Sequence, residues 1–196
     1  MNTCEVHVWR VCLNDVEDQA PTPGESARAA RFRFERHRRQ YLRSHAALRA
    51  ILRRYTEDPL AFAVTEAGKP YLPGVPRLKF NLAHSHEMAL VGIAFDIEVG
   101  VDVEHVRELS DYAAIAERFF PPSEAADVLD RRDFFRRWTR IEAVLKARGV
   151  GLNDVGSDPS GEWTIEEIDV GPEYSGAVAL PLAGLQTVVH DFGGNT

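Results

Sequence analysis

The stretch "FDIEVGVDVEHV", residues 95–106, decides how the chain is read. It holds two acid–apolar–acid triplets, Asp96-Ile97-Glu98 and Asp102-Val103-Glu104, in an otherwise apolar, β-prone region. In a strand, residues i and i+2 project from one face, so either triplet sets two carboxylates side by side. Adjacent carboxylates repel and raise each other's pKa unless a cation joins them. Asp96 and Glu98 fall between two strand runs, where a turn solvates them. Asp102 and Glu104 follow "GV" inside the second run and are harder to explain as surface decoration. Mg2+ suits such a pair, because it takes hard oxygens from one or two carboxylates and adds substrate phosphates.

Working outward, "RLKFNLAHS" (77–85) and "MALVGIAF" (88–95) read as strands joined by a tight connection, and "GKPYLPGVP" (68–76) as a Pro/Gly loop. "LAFAVTEAG" (60–68) reads as a strand and "DQAPTPGES" (18–26) as a loop. A first helix is expected over about 35 to 55, with Tyr41, His45, Leu48, Leu52 and Tyr55 as its buried stripe. Arg49 falls on the border of that stripe. "YAAIAERFF" (112–120) and "SEAADVLD" (123–130) read as helices, the second capped by Ser123. The strongest helix is "RDFFRRWTRIEAVLKARG" (132–149), with Phe134, Trp138, Ile141 and Leu145 buried and Gly149 as its stop. The tail, "GEWTIEEIDV", "YSGAVALP" and "LQTVVHDF", reads as a three-stranded meander. The expected class is α+β: two comparable lobes, residues 1–97 and 98–196, built from antiparallel sheets and packed helices.

Composition bounds the function. With 196 residues, 44% hydrophobic and 27% charged, the chain is globular and not disordered. "MALVGIAF" is the longest clean apolar run, far short of the ~20 residues of a membrane span. No secretory signal is visible at "MNTCEVHVWR", and Cys4 and Cys12, eight apart on one expected strand, do not suit pairing; a reduced, cytoplasmic setting is expected. Net charge is −7, yet ten arginines and one acid, Glu35, lie between Arg28 and Arg54. Such a block is either a solvated helix face or a mark of an anionic partner. Nucleic acid is disfavoured by the overall pI of 5.5.

Within the strong helix, Glu142 borders Trp138 and stands four residues before Lys146, a spacing that brings the two side chains together. His84 and His86 share a strand face, but no further Cys/His cluster near them supports zinc.

In combination, "GVDVEHV", "RFF" and "WTRIEAVLKARGVGL", with "GKPYL" and "FNLAHS" upstream, resemble the signature of the 4′-phosphopantetheinyl transferases, in particular the two-lobed Sfp-type members. The resemblance spans roughly residues 30–152. It implies two similar α+β lobes related by a pseudo-two-fold axis, with coenzyme A in the cleft between them. It also implies transfer of the phosphopantetheine arm to a serine of an apo acyl or peptidyl carrier protein, as in peptide synthetase and polyketide systems. A cytoplasmic monomer with no nucleic-acid or membrane partner is expected. By the same resemblance, Asp102, Glu104 and Glu142 match Mg2+ ligands, and Glu142 and Lys146 match catalytic positions. Lys69, His84 and, more loosely, Arg49 match positions contacting coenzyme A phosphates. The chain departs from the pattern at Ile141, where lysine is usual, and at Ala83, where serine is common. Two other readings stand beside it: a coenzyme A or carrier-binding module without turnover, supported by Ile141, and a metal-dependent phosphohydrolase using the same acids on water.

Overall fold

The computed structural model describes residues 5–151, 163–181 and 183–193. Strand β1 (Glu5–Cys12) leads through a short 3-10 turn (Leu13–Asp15) to α1 (Pro23–Ala29) and the long α2 (Glu35–Leu52). A two-residue ladder, β2 (Ala63–Val64) with β3 (Pro70–Tyr71), precedes the hairpin β4 (Leu78–Ser85) and β5 (Met88–Phe95). The second half runs β6 (Gly100–His105), α3 (Tyr112–Phe119), α4 (Pro122–Ala126), α5 (Arg131–Arg148), β7 (Thr164–Glu167), β8 (Tyr174–Leu180) and β9 (Gln186–Phe192).

Two sheets carry the molecule, one ordered β4-β5-β1-β9 and one ordered β6-β8-β7. The mixed α+β class with largely antiparallel pairing is as expected. Alternation sorts the first sheet's side chains: Trp9, Val11, Phe80, Val91 and Ile93 pack with α2, while Val6, Val8, Leu90 and Ala94 pack with Val99, Val101 and Val103. The first sheet thus has a buried layer on both sides. This explains why β5, "MALVGIAF", is apolar throughout.

The tail differs from the expected meander. β7 and β8 pair as a hairpin, but β9 leaves them and joins β1 in parallel, Val8 opposite Val189. Period-two patterning identifies a strand but not its neighbour. Here side chains settle the pairing: Arg10 grips both oxygens of Asp191 at 2.8 and 2.9 Å, and Trp9 stacks on His190 at 4.5 Å. The last strand therefore lies in the sheet formed by residues before position 97.

Other expectations shift locally. The Pro-rich segment holds α1, whose Thr22 and Glu25 form a capping box across "TPGE", a signal missed by reading only Pro and Gly there. Buried positions on α2 include Gln40, Ser44, Ala47, Leu48, Ile51 and Leu52, so the stripe is rotated and Tyr41 and His45 lie on its half-buried border. The expected strand at 60–68 shrinks to two residues as the chain turns back through Gly68 at φ +86°. α4 is shorter than expected and begins at Pro122, without a Ser123 cap. α5 ends as expected, with Gly149 in the left-handed region at φ +69°; Trp138 and Ile141 are half-buried against a cluster around Phe134 and Phe120.

Close approach fixes α5 on the second sheet. Ala143 and Ala147 face Ala177 and Ala179. A Cβ on Gly100 would stand 2.0 Å from the Ala143 carbonyl oxygen and 2.4 Å from the Ala147 nitrogen. Only glycine lets β6 run this close beneath the helix that carries Glu142 and Lys146.

Candidate active site

β6 and α5 together build the acidic centre. Val101 and Val103 point into the core between the sheets, which turns Gly100, Asp102 and Glu104 toward α5. Asp102 is buried, 4% exposed, and its Oδ1 accepts a hydrogen bond from Lys146 Nζ at 2.5 Å. Its Oδ2 is buried and, among the described residues, has no hydrogen-bond partner. Desolvation pushes the Asp102 carboxyl up to about 6; Lys146 opposes this, and the nearby Glu104 and Glu142 add to it. Burial also raises Glu142, with Lys146 opposing and Glu104 reinforcing the shift.

Glu104 is held from the side. Ser85 Oγ donates to its Oε2 at 2.9 Å and Arg107 Nη1 to the same oxygen at 3.2 Å. Ser85 also accepts from the His105 backbone N–H at 3.1 Å, and Asn81 Oδ1 accepts from the Val101 N–H at 2.9 Å. β4 thus staples β6 at two points, four residues apart on each strand, and joins the two sheets beside the acids. Neither Asn81 nor Ser85 stood out in the sequence, although "NLAHS" puts them on one strand face at i and i+4.

On the opposite face of β4, His84 looks toward α2. It is open to water on one side and crowded by protein on the others. Desolvation, then Coulombic interaction with His45, Lys146 and His37, lowers its pKa to about 4, favouring a neutral ring; the solvent contact limits that depression. His45 belongs to this group because the rotated stripe of α2 leaves it on the border. Its ring packs on Tyr41 at 4.1 Å, and burial lowers its pKa. Asp102, Glu104, Glu142, Lys146 and His84 therefore occupy one region.

Lys69 and Arg49 do not join them as free cations. Lys69 Nζ donates to Glu98 Oε2, the Ala147 carbonyl and the Val99 carbonyl. Arg49 Nη1 donates to Glu25 Oε1 in a half-enclosed ion pair under α1. Glu98 corrects the reading of the first acid triplet. Asp96 is the exposed turn residue expected, at φ +62° with both oxygens on Arg77. Glu98, by contrast, takes Lys69 at 2.7 Å and Lys79 at 3.2 Å. The arginine block resolves similarly: Arg43 holds Asp18, Arg53 caps the loop at Glu57 and Asp58, and Arg54 covers Trp9. Arg33 and Arg36 flank the exposed Phe34. Ile141 packs in the aromatic cluster, leaving no cation at that position.

Among the described residues, no three His, Cys, Asp or Glu side chains gather closely enough to form a protein-only metal cage. The donors fit a different kind of site. Asp102 Oδ2 is an orphaned buried oxygen, and the coupled carboxylates around it are hard donors suited to Mg2+, which keeps positions for phosphate and water.

Buried and half-buried carboxylates beside a lysine, with a histidine nearby, make a donor set whose chemistry suits a divalent cation and phosphate oxygens. Comparison with known proteins agrees with that chemistry. A family model described as the 4′-phosphopantetheinyl transferase superfamily matches residues 98–185. The chain is 37% identical over 166 residues to the 4′-phosphopantetheinyl transferase HetI of Nostoc sp., covering 76% of this chain and 70% of that protein. It is 35% identical over 136 residues to the transferase psf-1 of Bacillus pumilus, covering 65% and 57%. To the transferase Sfp of Bacillus subtilis it is 30% identical over 142 residues, covering 67% and 62%. The chain belongs to the 4′-phosphopantetheinyl transferase superfamily. It spans between 57% and 70% of the length of these three relatives.

Proposed function

We propose that this chain transfers the 4′-phosphopantetheine group of coenzyme A to a serine hydroxyl of an apo acyl or peptidyl carrier protein, releasing 3′,5′-ADP. The observation that carries the reading is the buried Asp102, paired with Lys146 on one oxygen and orphaned on the other, within the region matched by the family.

Each side chain has a part in the displacement. The serine oxygen attacks the phosphorus bearing pantetheine, and the phosphoanhydride bond to the departing nucleotide breaks as the new P–O bond forms. The serine proton goes to Glu142, directly or through a water that Glu142 positions; burial raises the pKa of Glu142, which favours it as a proton acceptor. Lys146, which reaches Asp102 from one turn beyond Glu142, neutralises charge on the departing phosphate. His84, neutral in the free protein and flanked by His45 and His37, is placed to donate to a phosphate oxygen. Asp102, Glu104 and Glu142 would hold Mg2+, whose charge offsets that of the pyrophosphate.

The two helix–sheet units, divided at residues 97 and 98, form the lobes of this reading, with β9 returned to the first. The carrier is a soluble protein, and the enzyme works in the cytoplasm as a monomer. Incubation with a fluorescent coenzyme A conjugate, Mg2+ and an apo carrier tests the function: label is expected on the carrier serine. Release of 3′,5′-ADP without any carrier would favour a hydrolase instead.

A further inference from the structure

An ammonium has three protons to donate, and Lys69 spends all three inside the protein. Its Nζ donates to Glu98 Oε2 at 2.7 Å, to the Ala147 carbonyl at 2.8 Å and to the Val99 carbonyl at 3.4 Å, with its side chain only 12% exposed. These acceptors come from two separate places. Val99 and Glu98 form the entry to β6, three and four residues before Asp102. Ala147 lies in the last turn of α5, next to Lys146. Carbonyls of a last helical turn lack partners within the helix, and a cation is favoured at that end of the helix dipole.

We infer that Lys69 is a positioning residue, which with Glu98 clamps the end of α5 to the entry of β6 and so sets Lys146 against Asp102. This rests on the transferase reading and revises the role of coenzyme A contact expected for Lys69 from the family resemblance. Three further contacts support the clamp. Glu98 is itself anchored by Lys79 of β4 at 3.2 Å. Gly100, directly after Val99, lies against the backbone of Ala143 and Ala147, so β6 and α5 meet where Lys69 ties them. The turn that presents Lys69 is closed by its own bonds, the Thr65 N–H to the Lys69 carbonyl at 2.9 Å and the Lys69 N–H to Thr65 Oγ1 at 3.1 Å. Lys69 and Glu98 also line a surface cavity with Lys79, yet the Lys69 donors are taken up by Glu98, Ala147 and Val99 and not turned to that space.

The role predicts a division between rate and affinity. Misplacing a reacting group by about 1 Å costs on the order of a hundredfold in rate. In Lys69→Met, which keeps the aliphatic stem, kcat for carrier modification should fall roughly 10- to 100-fold, while KM and the calorimetric Kd for coenzyme A stay unchanged within error. Glu98→Ala should lower kcat in the same sense and less steeply, again with coenzyme A affinity held. The double variant should be no worse than Lys69→Met, since the Lys69–Glu98 contact is already lost with the lysine. Amide hydrogen exchange in the last turn of α5, Leu145 to Gly149, should speed up in both variants, a readout independent of any transfer reaction.

A rise in KM and Kd for coenzyme A in Lys69→Met, with kcat held and Glu98→Ala unaffected, would overturn the inference and make Lys69 a phosphate ligand. Unchanged kcat together with unchanged exchange in both variants would overturn it as well. If Lys69→Met does not fold, Glu98→Ala carries the same comparison. A wild-type protein that binds coenzyme A yet modifies no apo carrier would instead sink the transferase reading, and the exchange measurement would still decide the clamp.

Discussion

Lys146 Nζ sits 2.5 Å from Asp102 Oδ1, while the other oxygen of that carboxylate is buried and has no hydrogen-bond partner among the described residues. One oxygen is balanced and one is not. This asymmetry makes the site unstable as a purely structural ion pair and fitting as half of a cation site. Removing the lysine should therefore separate chemistry from stability. Lys146→Met should lower kcat by roughly 10²- to 10³-fold, as loss of a group that stabilises transition-state charge does. It should also leave Asp102 to fold protonated, so its stability deficit, measured by chemical denaturation, should be larger at pH 8 than at pH 5.

The raised carboxyl of Asp102 gives a pH signature. Its folded pKa of about 6 lies above its ordinary 3.8, so the folded state binds the proton more tightly than the unfolded chain. That contribution to stability is fully present below about pH 4 and is lost as pH rises through about 6. Glu142 acts in the same direction. Asp96, Glu98 and Asp133, whose pKa values are lowered, act in the opposite direction, so the comparison must be a difference. Melting curves of Asp102→Asn and the wild type should diverge between pH 4 and 6, the wild type losing relative stability as pH rises. Mg2+ should raise the wild-type melting temperature at pH 7.5, and this rise should vanish at pH 4.5 and in Asp102→Asn.

Gly100 tests the packing that presents the acids. Its missing Cβ is where the Ala143 carbonyl and Ala147 nitrogen pass, so Gly100→Ala must push α5 away from β6. We expect destabilisation of about 3 kcal/mol or more, read by denaturant unfolding, as overpacking of a rigid backbone contact produces. Gly24, whose Cβ would meet nothing within 4 Å, is the matched control, and Gly24→Ala should be near neutral.

The first acid triplet should be silent at the site. Asp96 faces water and holds only Arg77, at a position with φ +62° that asparagine tolerates well. Asp96→Asn should leave kcat and KM within twofold of wild type in the carrier-labelling assay. A rate loss comparable to that of Asp102→Ala would show that the wrong pair had been assigned.

Much of this was legible in the sequence because the signals were local. Alternation around Asp102 and Glu104, the Glu142–Lys146 spacing and the stop at Gly149 depend only on neighbours along the chain. What escaped depends on contacts between distant segments. The parallel docking of β9 on β1 rests on Arg10–Asp191 and Trp9–His190, residues some 180 positions apart in each case. The capture of Lys69 by Glu98 and Ala147, and of Arg49 by Glu25, turns two apparently available cations into internal ties. His45 escaped for a subtler reason: its place on the α2 stripe was displaced by Ser44 and Ala47, so a residue read as core stands at the border beside His84.

The most direct test of the account is a single-turnover reaction of the purified chain with coenzyme A, Mg2+ and an apo carrier protein, read by mass spectrometry of the carrier's serine-bearing peptide. The account predicts a phosphopantetheine adduct on that serine in step with 3′,5′-ADP release, and neither product from Asp102→Ala or Glu142→Ala that still fold. An unmodified serine from several apo carriers, with coenzyme A intact, would contradict it.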